Sequence, residues 1–352
     1  MTTPEVIRRE LDQAKVVAFT PEERRGKVNG KVNGHASGES EKRKAPAFTD
    51  FVISAVDLDA AKFAPVKFVV RDVLPVGLAV LSAPPKIGKT WLDMGLSNDV
   101  ASGDLFGGCK PVDQGQVLLL DLESNKRRSQ ARFKKLRQGR TAPEGLYIAN
   151  EWPRMDLGGL DCIRQWAKAQ PDPRLIVIDI WVKFRTPRPA NADAYQFDYD
   201  CVKQLQELAH ELSVAILIVH HNRKAADSDW LNEISGSQGL AGGADTLITI
   251  KRDRAAADAV LHVTGRDVEE QELALKFDKE TGRWSIIGDA AEYRTTKARN
   301  EIHTLLEREG PKSPKEVAEE LDQPRNTVKS TMRRMRADGS LKSAGGGKYA
   351  LA

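Results

Sequence analysis

Residues 83–90 read Ala-Pro-Pro-Lys-Ile-Gly-Lys-Thr and stand between an apolar run, Leu78-Ala-Val-Leu81, and a stretch of helical character, WLDMGLSNDVA. A strand, a tight loop and a helix that begins at Gly-Lys-Thr leave the chain few folds to choose from. Backbone N–H groups and the helix N-terminus then surround a polyphosphate. Ala83, Pro84, Pro85, Lys86, Ile87, Gly88, Lys89, Thr90 and Trp91 are the nucleotide-contact candidates. Within that set Lys89 is placed to reach the β- and γ-phosphates of ATP, and the Thr90 hydroxyl to ligate Mg²⁺. The loop departs from GxxxxGK[ST] at its start, where Ala83 stands in place of the first glycine. Pro84 and Pro85 bring no N–H donors, so the cradle must use amides from Lys86 onward.

The rest of the chain supplies what such a loop needs. Short apolar runs at 78–81, 117–120, 175–178 and 214–219 suit strands covered on both faces, and 196–212 between the last two has helical spacing. The alternation predicts a doubly wound α/β core on a parallel sheet. After Asp245 shorter strands without long helices (246–250, 260–264, 272–277, 283–287) predict an antiparallel extension of the sheet edge. Ligands of parallel sheets sit at the carboxyl ends of the strands. Two runs end there in carboxylates, LIVID at Asp179 and VLLLDLE at Asp121 and Glu123. Asp179 has the form of a Walker B residue that holds Mg²⁺ through water, and Glu123 is a candidate general base. The run 214–219 leads into His220-His221-Asn222-Arg223, where one histidine, His220 or His221, faces the γ-phosphate.

Charge divides the 352 residues into three. Residues 1–46 carry 10 basic and 7 acidic side chains and include GKVNGKVNG, which predicts a disordered basic tail. Residues 47–293 carry 31 basic against 35 acidic, and 294–352 carry 13 against 8. The last sixty residues read as a separate unit. A helix at 301–309 ends before Gly310-Pro311, a capping box at Ser313–Glu316 starts a second, and a third follows Pro324. A hairpin tipped by Gly345-Gly-Gly347 closes the order of a winged helix. On the third helix Val328, Met332 and Met335 share the core face, and Asn326, Ser330, Arg333 and Arg334, with Lys329 at the margin, lie opposite. That face suits the major groove of duplex DNA, with Lys342 and Lys348 of the wing reaching phosphates. No apolar run is long enough to span a membrane and the first residues lack a signal-peptide core, so a cytoplasmic chain is expected. Three scattered cysteines predict neither disulfides nor a zinc site.

Taken together, LAVLSAPPKIGKTWL, VLLLDLE, LIVIDI, ILIVHHNRK, GSQGLAGGADTLITIKR and LHVTGRDVEE resemble the RecA-like P-loop ATPases (AAA family), most closely the RepA-like hexameric DNA helicases. The resemblance implies a RecA-like ATPase core over 47–292 followed by a winged-helix DNA-binding domain over 293–352. It implies Glu123 as catalytic base, Asp179 as Walker B residue, and His220 or His221 as the histidine of the third motif. It also implies a basic residue acting in trans on the neighbour's ATP, for which Arg266 is the candidate. Loops 183–194 (Arg185, Arg188) and 223–238 (Arg223, Lys224, Trp230) would line a channel for single-stranded DNA. The expected protein is a homo-hexameric, Mg²⁺- and ATP-dependent replicative helicase of plasmid or phage type. Two alternatives remain, an ATP-switched DNA-binding initiator and an ATPase that loads or assembles a protein complex.

Overall fold

In the computed structural model the described residues are 51–221, 238–252 and 258–352. Arg223, Lys224 and Trp230 lie outside them. The chain divides at Pro65/Val66 into two units. Among the described residues of the first, a short helix, α1 (Ala55–Ala60), is capped by Ser54, whose hydroxyl accepts from the Asp57 N–H.

In the second unit, strands β3 (Gly77–Ala83), β4 (Gln116–Asp121), β5 (Leu146–Ala149), β6 (Pro173–Asp179) and β7 (Ala215–His221) are mutually parallel. A sixth, β8 (Thr246–Arg252), pairs with β3 and is parallel as well. The antiparallel extension therefore begins one strand later than the sequence suggests, with β9 (Asp258–Gly265), β10 (Gln271–Phe277) and β11 (Trp284–Asp289). The nine strands run β11-β10-β9-β8-β3-β7-β6-β4-β5. A separate pair, β1 (Phe68–Val70) with β2 (Leu74–Pro75), precedes them.

Alternate residues of the central strands feed two cores. Ala79, Leu81, Val117, Leu119, Val177, Leu217 and Val219 pack with helix α2 (Lys89–Ser102) and with Phe133 and Leu136 of helix α3 (Lys126–Arg137). Leu78, Val80, Leu118, Leu120, Ile176, Ile178, Ile216 and Ile218 pack with α4 (Gly159–Ala169), α5 (Trp181–Phe184), α6 (Ala194–Leu212) and α7 (Gln238–Gly243). Each Val, Leu or Ile among them contributes about 1.5–3 kcal/mol on burial. That is why these strands read as unbroken apolar runs rather than as alternation.

The last strand continues without a break into α8 (Ala290–Glu309), capped by Asp289, whose Oδ1 accepts from the Ala291 and Glu292 N–H groups. The helix starts eleven residues before the apolar signal at Glu301. Its first half, AAEYRTTKARN, is mostly solvated and carries no apolar stripe, so good intrinsic propensity is its only mark. Helices α9 (Pro314–Glu320) and α10 (Arg325–Ala337) and the hairpin of β12 (Leu341–Gly345) with β13 (Lys348–Leu351) follow. The Ser313–Glu316 capping box is fully formed. Ile302, Leu305, Leu306, Val317, Val328, Met332, Met335 and Leu341 make a third, separate core. Asn326, Lys329, Ser330, Arg333 and Arg334 are all exposed. Lys348 is also exposed but pairs with Glu316 at 3.3 Å, so of the two hairpin lysines it is already engaged within the unit. No helix among the described residues is long and apolar enough to cross a membrane.

Candidate nucleotide site

Ala83 ends β3 inside the core, fully buried, which accounts for an alanine where the pattern has glycine. The turn is made further on instead, by Lys86 at φ 65° and Gly88 at φ 107°. Gly88 is the N-cap of α2, and a Cβ there would sit 3.0 Å from the Trp284 ring.

Lys89 is buried and its ammonium donates to the carbonyl oxygens of Ala83 and Pro84, the latter at 3.0 Å, and to His221 Nδ1 at 2.8 Å. Burial lowers its pKa to about 8, against the opposing pull of Asp179, Glu123 and Asp93. The same burial, with Lys89 beside it, lowers the His221 pKa, which keeps Nδ1 free to accept. His221 Nε2 in turn stands 3.9 Å from Glu123 Oε1. Thr90 Oγ1 donates to Asp179 Oδ2 at 2.9 Å. Burial raises the Asp179 pKa to about 6, opposed first by the Thr90 hydrogen bond. The loop, the end of β6, the end of β7 and Glu123 beyond β4 thus meet at one place, as the carboxyl ends of adjacent parallel strands must.

These oxygens fit a hard divalent cation. No three His, Cys, Asp or Glu side chains converge as a cage among the described residues. Mg²⁺ at a nucleotide needs only one or two protein oxygens, since phosphates and water complete its octahedron. Thr90 Oγ1 and Asp179 Oδ2, 2.9 Å apart, are oxygens of that kind.

Two placements differ from the sequence expectations. His221, not His220, touches Lys89; His220 has the opposite parity on β7, on the side of the sheet that packs against α6. Burial there pushes the His220 pKa down to about 4. Arg185, expected in a DNA channel, donates to Asp198 Oδ1 at 2.6 Å in a half-buried pair, which withdraws it from solvent. Arg188 remains exposed. Arg266 lies at the far end of the sheet from the loop. Its guanidinium donates to Asp245 Oδ1 at 3.2 Å, and Asp245 Oδ2 accepts from the Leu78 N–H at the start of β3. About 16 Å of strand, at roughly 3.3 Å per residue, separates Leu78 from Ala83. Arg266 therefore cannot reach the phosphate loop of its own chain.

Two contributors escaped the sequence reading. Asp93, one turn beyond Thr90, is wholly buried, and burial, then the Asp179 and Asp121 charges, hold its pKa well above the carboxylate range. It lies close to Asp179, and neither of its carboxyl oxygens has a hydrogen-bond partner among the described residues. A carboxylate inside an otherwise core-facing first turn was the available signal. The second is Trp284, whose indole N–H donates to the Gly88 carbonyl at 3.1 Å. A peptide is planar, so fixing that carbonyl aims the Lys89 N–H toward the phosphate side. Trp284→Phe keeps a six-membered ring and removes the donor, a loss of about 0.5–1.5 kcal/mol at the loop. Fluorescent-nucleotide titration should show affinity about 2- to 10-fold weaker, with the thermal transition lowered as well because part of a buried ring is gone.

Residues 42–227, just over half of the chain, match a family of AAA domains. No curated protein sequence matches. Among solved structures, the ATPase domain of another protein superposes with TM-score 0.50 at 16% identity, over 60% of this chain and 85% of that one. A DnaB-like replicative helicase, described with its interactions with primase, superposes with TM-score 0.51 at 15% identity, over 65% of this chain and 66% of that one. At such identities the likeness is one of fold, and it is the RecA-like fold with its parallel sheet and phosphate loop.

Proposed function

The chain belongs to the AAA domain family, and from that premise we propose that it is a DNA-dependent ATPase, a ring-forming replicative helicase of plasmid or phage type. The observation that carries this reading is the division of the catalytic set across the two ends of the sheet. Lys89, Thr90, Asp179, Glu123 and His221 gather at one end, and Arg266 is held at the other. Only a second copy can bring Arg266 to a nucleotide, as in a head-to-tail ring.

On binding ATP, Lys89 exchanges the Ala83 and Pro84 carbonyls and His221 for the β- and γ-phosphate oxygens. His221, released from Lys89, is positioned to report the γ-phosphate. Thr90 and Asp179 would hold Mg²⁺, whose charge would offset that of the transferring phosphoryl group. Glu123, more exposed than Asp179 and open to water, orients and deprotonates the attacking water. Arg266 from the neighbour stabilises the charge that develops on transfer. Arg188, together with Arg223 and Lys224, contacts the single strand. The C-terminal unit over 293–352 acts as a winged helix whose Asn326, Lys329, Ser330, Arg333 and Arg334 face duplex DNA.

The test is ATPase rate with and without single-stranded DNA, with mass measured on the same sample. Stimulation severalfold by single strands and a mass of six chains are expected. Duplex binding to one sequence that survives Lys89→Ala, without stimulation, would move the reading to an ATP-switched initiator. No response to either DNA form would move it to an ATPase that assembles a protein complex.

A further inference from the structure

Helix α3 carries seven Lys or Arg among twelve residues, KRRSQARFKKLR, and no acid. With Arg140 the count is eight over 126–140, which leaves 23 basic against 35 acidic side chains in the rest of 47–293. One basic helix thus stands on an otherwise acidic core. Its buried side is Ser129, Phe133 and Leu136, so Arg127, Arg128, Lys134 and Lys135 project on the opposite, exposed face. They form two pairs, each a heptad apart, about 10.5 Å along the helix axis.

Helix stability accounts for only part of this composition, since Lys134, Lys135 and Arg137 sit in the last turn, where the dipole favours cations. Lys126, Arg127 and Arg128 occupy the first turn, where the helix dipole disfavours cations. Arg128 and Arg132 are like charges at i,i+4, which oppose the helix as well. Among the described residues, Arg127, Arg128 and Lys134 meet no carboxylate that would offset these costs. A polyanion outside the chain would.

We propose that the exposed face of α3 binds the phosphate backbone of duplex DNA without regard to sequence. A duplex offers these cations a denser target than a single strand does, one negative charge per about 1.7 Å of helix axis with both strands counted. Single-strand sites add aromatic rings on which bases stack. This face has none: Phe133 is buried on the other side of the helix, and Trp91 packs on Phe277 and lies under Arg132 and Lys135. The surface is distinct from the winged-helix face and from the channel loops. It requires no hydrolysis.

The experiment measures binding of a labelled 30-base-pair duplex of arbitrary sequence by the full chain, without nucleotide, from about 50 to 200 mM salt. The background carries Arg333→Gln and Arg334→Gln to silence the C-terminal unit. On it, Arg127→Gln, Arg128→Gln and Lys134→Gln together should weaken binding and lower the slope of log K against log salt by about 3. The charge-retaining set Arg127→Lys, Arg128→Lys and Lys134→Arg should keep the background slope, which separates charge from any local disturbance. Unchanged affinity and slope in the glutamine set overturn the proposal, as does a loss seen with a single-stranded oligonucleotide but not with the duplex. The DNA-free ATPase rate, read on the same samples, reports the motor reading separately.

Discussion

Arg266→Ala should lower ATP turnover by about 10³- to 10⁵-fold, the range for removing an arginine that stabilises phosphoryl-transfer charge. Equilibrium ATP binding should change little, because Lys89, Thr90 and Asp179 of the same chain are untouched. The reason for expecting action in trans is geometric: Arg266 is anchored at the start of β3 through Asp245, and the loop leaves from its end. Gln206 Nε2 and His210 Nε2 also approach the Asp245 carboxylate, at 2.5 and 3.4 Å, so the arginine rests in a built cluster rather than on open surface. Gly77, at φ 126°, leaves room for that carboxylate, since a Cβ there would come within 2.7 Å of it. A loss of turnover of less than about tenfold would remove Arg266 from the reaction.

Glu123→Gln should keep ATP binding and lose about 10²- to 10⁴-fold in turnover, the usual contribution of a positioned base. The substitution conserves shape, and His221 can still approach the amide. Single-turnover hydrolysis and nucleotide titration on one sample separate the two effects; turnover within a few-fold of the parent would reject Glu123 as base. The two variants together test the ring. Each supplies what the other lacks, so randomly mixed subunits should place an intact loop opposite an intact Arg266 at about a quarter of head-to-tail interfaces. Recovery of activity toward that fraction is expected on mixing, and no recovery would argue against sharing of sites between neighbours.

Much of the site was legible because its signals are local. Lys89 and Thr90 follow Gly88 directly, and Asp179 ends an apolar run. The capping box of Ser313 and Glu316 closes over three residues. What misled the reading was facing. Two adjacent histidines announce that one points to the loop, yet only the pairing of β7 with β3 decides that it is His221. Arg185 reads as a loop cation until α6 brings Asp198 against it. The first half of α8 has no apolar periodicity because it packs little, so its beginning had no pattern to show.

The sequence by itself determined that this chain builds a parallel sheet with a phosphate loop at the end of one strand and a small helical unit after it. Those properties come from periodicity, turn chemistry and caps, which act over a few neighbouring residues. Only the tertiary structure decided that Trp284 steadies Gly88 from 196 positions away, and that Asp245 ties the start of β3 to Arg266 from 167 positions beyond Leu78. Such contacts depend on which strands become neighbours in the sheet. The order β11-β10-β9-β8-β3 folds the late antiparallel strands back beside the early phosphate strand, and separation along the chain carries no trace of it.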